Sequence, residues 1–157
     1  MLEAFPWTGK NSPTLQKRAE QLEFFRTHNM RPRGRDMIRS IFTRDKPGTS
    51  DPAVAEAMAD AELKFGDSVP TGTYLDMTAN LPVVDPTKVL SPVLLIRGEH
   101  DGIAALDDLL DFYKALPNPD RQFAIIPGAA HAIAFGLNRQ QLWHVAHAFL
   151  TMPPRIT

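Results

Sequence analysis

Two short stretches set an acid and a base just past apolar runs. Arg97 to Gly102 reads RGEHDG and follows directly on Ser91-Pro-Val-Leu-Leu-Ile96; Pro127 to Ala132 reads PGAAHA, with His131 thirty residues after Asp101. A carboxylate that accepts a hydrogen bond from one imidazole nitrogen fixes the tautomer and stabilises the imidazolium, leaving the other nitrogen to act as general base. Asp101 and His131 suit that chemistry if the fold brings their loops together. A plainer reading gives each a local task, Asp101 capping a helix that starts near Ile103 and His131 being satisfied by loop backbone. The two motifs at matching strand ends favour the pair over two separate local tasks. Glu99 and His100 are second choices, since alternation along the loop points them elsewhere. An acid and a base of this kind need a nucleophile to serve.

The elements that must position them divide near residue 85. Pro92 to Ile96 is a short apolar run, as in a parallel strand covered on both faces. Ile103 to Leu116 carries Leu106, Leu109, Leu110, Tyr113 and Leu116 at helical spacing; Gln122 to Ile126 reads as a second strand, and Asn138 to Leu150 as a helix capped by Asn138. In a parallel α/β sheet, ligands and catalytic groups collect at the carboxyl ends of strands, which is where Asp101 and His131 fall. Before residue 85 the pattern is helical. The spacing predicts a helix over Thr14 to Asn29 with Ser12-Pro13 at its start, and a shorter one over Gly34 to Phe42. A third starts at Ser50-Asp51-Pro52 and stops at Gly66, and a fourth lies around Thr73 to Ala79. Pro32, Pro47 and Pro70 punctuate loops, giving an all-helical unit.

Composition removes several function classes. The 157 residues carry a net charge of -1, with 43% hydrophobic and 22% charged residues, an ordinary globular balance. Without a long Lys/Arg run, nucleic acid is not an expected partner. The absence of cysteine excludes disulfides and thiolate chemistry and fits a reducing compartment; with no leader-like start and no long apolar run, a cytoplasmic location and no membrane contact are expected. His144 and His147 lie three apart beside Trp143, but zinc wants three or four placed ligands, so they read as a helix surface and no metal or cofactor is expected. Phe24, Phe25, Met30, Met37, Phe42, Met58 and Phe65 suit either an apolar substrate pocket or, more ordinarily, the helical unit's own core. Arg31, Arg33, Arg35 and Arg39 suit either an anionic substrate or, more ordinarily, a solvated face.

Ser91 to Leu150 resembles the carboxyl-terminal part of an α/β-hydrolase. Gly98-Glu-His-Asp101 matches the G-x-x-D context of that family's triad acid, and Pro127-Gly-Ala-Ala-His131 the P-G-x-x-H context of its histidine, in the same order and at a similar separation. The resemblance implies a partial α/β-hydrolase fold, a helical cap followed by a short parallel β-α-β-α unit. In those terms residues 1–11 hold the end of a core strand, 12–82 the cap, and 83–157 the carboxyl-terminal part of the core. Asp101 and His131 become the triad acid and base of a serine-type hydrolase acting on a small acyl substrate.

The nucleophile elbow G-x-S-x-G is missing. None of the five serines, Ser12, Ser40, Ser50, Ser68 and Ser91, has glycines two residues to either side. Removing a triad serine costs on the order of a millionfold in turnover. The chain is therefore expected to be inactive alone and to form part of a longer or two-piece enzyme, its sheet edge favouring self-association or a missing amino-terminal half. The alternative expectation is a non-catalytic, self-associating interaction module derived from a hydrolase.

Overall fold

The computed structural model describes residues 1–153, opening on a two-residue strand, β1 (Leu2–Glu3). Ser12 then starts helix α1 (Pro13–Ala19): its Oγ accepts the Leu15 amide at 3.1 Å and donates to the Gly102 carbonyl at 2.8 Å, so one hydroxyl caps the helix and ties it to the acid's loop. The single helix predicted to Asn29 is two. At Gln21 the amide bonds back to Arg18, three residues away instead of four, and this tight turn re-aims α2 (Leu22–Thr27) so that Phe25 is buried and stacks on Tyr74.

The first half is not all helical. Strand β2 (Met30–Pro32) pairs antiparallel with β3 (Ser68–Pro70). Pro32 and Pro70, expected in loops, sit in this isolated ribbon, both of whose strands are edges, where the missing proline N–H need cost no ladder bond. Between the two strands run α3 (Arg35–Thr43) and α4 (Pro52–Glu62), the latter capped by Asp51 accepting the Ala53 amide at 2.8 Å. Ile38, Phe42, Ala55 and Ala59 form their shared core, and Ala132, next to His131, packs against it. Two further contacts join this region to the segment after β5 (Arg121–Ile126): the Leu137 amide bonds the Thr49 carbonyl at 2.9 Å, and the Phe42 and Phe135 rings meet at 6.3 Å. The predicted basic face is a set of ion pairs. Arg35 and Arg39 both reach Glu56, and Arg33 reaches Glu62, whereas Arg31 lies over the Tyr74 ring. Helix α5 (Gly72–Leu75) runs on into a π-helical turn over Asp76–Asn80.

The apolar run after Ser91 forms β4 (Val93–Gly98), buried at every residue and parallel to both neighbours in the order β1-β4-β5. Alternation splits its side chains between two layers. Val93 and Leu95 pack with Phe112 of α6 (Leu106–Ala115) and with Leu116; Leu94 and Ile96 pack with Ile126 and with Leu142 of α7 (Arg139–Leu150). Register sets Glu3 opposite Ile96 and Gly98 opposite Ile126, lining up the carboxyl ends of all three strands. Among the described residues no helix is long and apolar enough to cross a membrane.

Phe112 is the keystone of one layer. It is 0% exposed, and the rings of Phe5 and Trp7 meet it edge-on at 5.1 and 5.5 Å. Phe112→Ala is expected to destabilise the chain by about 3–5 kcal/mol, read as a lower urea midpoint at unchanged slope. A cost below about 1 kcal/mol would contradict this core.

Candidate active site

Beyond β4 the backbone keeps bonding to the next loop: the Glu99 amide reaches the Ile126 carbonyl at 3.0 Å and the His100 amide the Ala129 carbonyl at 2.9 Å. The loops cross over Gly98. A Cβ there would stand 2.4 Å from the Ala130 oxygen and 2.6 Å from the Ala129 oxygen, both backbone, so only glycine permits the crossing. Gly128, at φ 63°, turns the second loop, and Asn138 steadies it. Asn138 heads α7 as predicted, but its side chain does not cap the helix; its Nδ2 donates to the Pro127 carbonyl at 2.6 Å.

Asp101 meets His131 at this crossing. The imidazole Nδ1 lies 3.1 Å from both carboxylate oxygens, and the aspartate side chain is fully buried. Nδ1–H is the tautomer that this contact requires. Oδ1 also accepts the Ile103 and Ala104 amides at 2.8 and 3.0 Å, which closes a turn and caps no helix: α6 begins only at Leu106, with Ala105 before it, not near Ile103 as expected. Burial opposes ionisation of Asp101. The hydrogen bond and charge of His131, with the Ala104 and Ile103 amides, outweigh it and hold the carboxyl below its usual range. Beneath the loop the buried Arg97 guanidinium donates to the Ala104 and Asp101 carbonyls at 2.8 and 3.0 Å, closing the turn from inside.

The other sequence candidates lie apart from this pair. Glu99 accepts the Gly128 amide at 2.8 Å and lies 3.6 Å from His100, so the two second-choice groups serve each other and the turn. His144 and His147 are exposed on α7, and no group of three metal-ligating side chains forms among the described residues. Ser12 caps α1, Ser40 bonds the Met37 carbonyl, and among the described residues no serine hydroxyl bonds His131. Of the apolar candidates, Phe42 and Met58 line a cavity of about 280 Å³ with His131, whereas Phe65 is 94% exposed.

Glu3 also lines that cavity and was not picked out from sequence. Burial raises its carboxyl pKa, while the nearby His131 charge and an Ala134 backbone bond oppose the rise. Its signal was the acid within the opening LEAF, on a strand too short to show alternation.

Compared with solved structures, the chain superposes on monoglyceride lipase from Saccharomyces cerevisiae at a TM-score of 0.59 and 19% identity, covering 89% of this chain and 49% of that one. A monoacylglycerol lipase from Paleococcus ferrophilus gives 0.60 at 16%, covering 89% and 52%. The chain carries part of the α/β-hydrolase fold. A 2-hydroxy-6-oxo-6-phenylhexa-2,4-dienoate hydrolase from Rhodococcus sp. strain RHA1 gives 0.55 at 16%, covering 94% and 52%. At these identities the likeness is one of fold, and the chain spans about half the length of the hydrolase-fold structures it matches. No family model and no curated protein matches the sequence.

Proposed function

We propose that this chain is the acid- and histidine-bearing portion of a serine-type hydrolase that cleaves an ester or related acyl bond. The observation that carries the reading is the Asp101–His131 hydrogen bond at the carboxyl edge of a hydrolase-fold sheet. Asp101 holds Nδ1–H and stabilises the imidazolium; Nε2 takes the proton of the nucleophile and returns it to the leaving group. Residues 12–82, with α3 and α4 against the histidine loop, serve as the cap over the substrate. The nucleophile comes from outside these 157 residues, because none of the serines here stands in a G-x-S-x-G turn. It is carried on a strand that adds to the outer edge of β1, unpaired among the described residues. The two monoglyceride lipases among the similar structures favour an ester among acyl bonds.

The chain alone is expected to leave p-nitrophenyl butyrate unhydrolysed above buffer. Combined with a hydrolase segment that brings a G-x-S-x-G elbow to β1, it is expected to turn the ester over, with His131→Ala abolishing the activity. Turnover by the isolated chain that His131→Ala removes, or complemented turnover that His131→Ala leaves intact, would refute the assignment.

A second reading has its own observation. Val83 and Val84 are exposed and, with Leu2, Phe5 and Trp7, surround an apolar cavity of about 160 Å³ beside the open β1 edge. In that reading the edge pairs with a second copy of the chain. Sedimentation equilibrium that finds only monomer excludes it.

A further inference from the structure

Between the helical region and the sheet lies a second cavity, of about 260 Å³, that His131 also lines. Met37, Ile41 and Met77 give its lining an apolar part. The opposite chemistry comes from Arg18 and Arg44, together with Thr73 and Tyr74, and no acidic side chain lines it.

Arg18 is the unusual member. Its guanidinium donates to the Met77 sulfur at 3.1 Å and sits 5.0 Å from the centre of the Tyr74 ring, but among the described residues it forms no ion pair with a carboxylate. A thioether is a weak acceptor, and the fork has five N–H donors to place. Tyr74 is already shared, since Arg31 lies 4.5 Å from the same ring. Burial, followed by the like charges of Arg44 and Arg31, works against the Arg18 charge and only Tyr74 supports it. Arg44 pairs with its neighbour Asp45 at 3.5 Å. Arg33, Arg35, Arg39 and Arg44 each have a carboxylate partner, which sets Arg18 apart from them. The Arg18 charge, partly buried and without a carboxylate partner among the described residues, is costly unless something supplies one.

We propose that this cavity receives the anionic end of an amphipathic substrate, Arg18 and Arg44 taking a carboxylate or phosphate while the apolar part takes the carbon skeleton beside His131. A planar guanidinium fork matches either anion with paired hydrogen bonds, and a cavity near the lower end of the usual ~300–1,000 Å³ range suits a small ligand. The assignment of the anion as part of a substrate rests on the hydrolase reading above; the anion site itself does not.

The test uses the chain as it stands and three probes of one shape, benzoate, phenyl phosphate and uncharged benzamide, at matched ionic strength. The Arg18 Nε–H resonance is expected to move saturably with at least one of the anions, at an affinity tenfold or more above that for benzamide. The stronger anion identifies the substrate's charged group. Arg18→Met is expected to remove at least tenfold of that affinity, Arg18→Lys to keep an intermediate value, and Arg39→Met on the outer face to change nothing. Where an Arg18 variant fails to fold, the anion-to-amide ratio in the unaltered chain and the loss on Arg44→Met decide. Equal binding of benzamide and the anions, or full affinity in Arg18→Met, overturns the proposal. These readouts do not pass through proton transfer by His131. Loss of anion binding therefore leaves the triad reading standing, and failure of complemented hydrolysis leaves the anion site standing.

Discussion

Gly98→Ala is expected to separate Asp101 from His131 while β4 stays paired along most of its length. The added methyl has only backbone oxygens of Ala129 and Ala130 to meet, at distances no real Cβ tolerates, and backbone cannot rotate away as a side chain can. The histidine loop must lift, and the His100–Ala129 hydrogen bond that holds the crossing goes with it. Overpacking of this kind costs about 1–3 kcal/mol. The effect on chemistry is larger. Loss of the acid's hold on the base is worth on the order of 10⁴ in turnover for a triad. The low-field Nδ1–H resonance of His131 is expected to vanish in Gly98→Ala, with activity of the complemented enzyme falling in step. An intact resonance together with a stability change under about 0.5 kcal/mol would show that the loops do not cross as described.

Asp101 gives the second large effect, and two substitutions divide it. Asp101→Ala strands the buried amides of Ile103 and Ala104 as well as Nδ1–H of His131. At about 1–3 kcal/mol for each unsatisfied buried donor, the two amides alone account for about 2–6 kcal/mol. Asp101→Asn keeps an oxygen for both amides but presents an amide donor or a neutral acceptor to the imidazole. It is therefore expected to cost less stability, while the complemented enzyme loses turnover on the order of 10⁴ through the wrong tautomer. Acid separates the pair further. Because the carboxyl of Asp101 titrates below its usual value in the folded chain, the unfolded chain binds the proton first as pH falls. The stabilisation is whole above the unfolded value near pH 3.9 and is lost as pH drops through the lower folded value. Urea midpoints measured from pH 6 downward are expected to fall more steeply below about pH 4 in the parent chain than in Asp101→Asn. Parallel curves would mean that the carboxyl is not held ionised by this site.

What was legible in the sequence was what local pattern controls. The buried β4, the strand β5 and the loops after them announce themselves through apolar runs that stop at Ile96 and Ile126, just ahead of Gly98 and Pro127. Ser12 and Asp51 cap helices as their type and position predict. Illegible features depend on partners distant in the chain. The ribbon of β2 and β3 consists of three-residue strands containing prolines, whose pairing is fixed by the elements between them. The break between α1 and α2 satisfies the same apolar spacing as a continuous helix would. Glu3 acquires meaning only because two residues of β1 pair with β4, and Arg18 only because its position on α1 faces a cavity between halves. Asp101 itself was read as a choice between two tasks. The structure gives its carboxylate the imidazole and the two amides of a turn, and leaves the helix without it.

The bond from Leu137 to the Thr49 carbonyl, with Phe42 against Phe135, fastens the histidine's own segment to the helices above it. Parting those helices from the sheet therefore disturbs the His131 loop along with the helices packed on it. Hydrogen exchange at the Leu137 amide becomes a clock for that event: it proceeds only when the two halves separate locally or the whole chain unfolds. If ligands in the cavity between the halves slow it, closure of the halves and cavity occupancy are thermodynamically linked, and each must alter the other by the same factor.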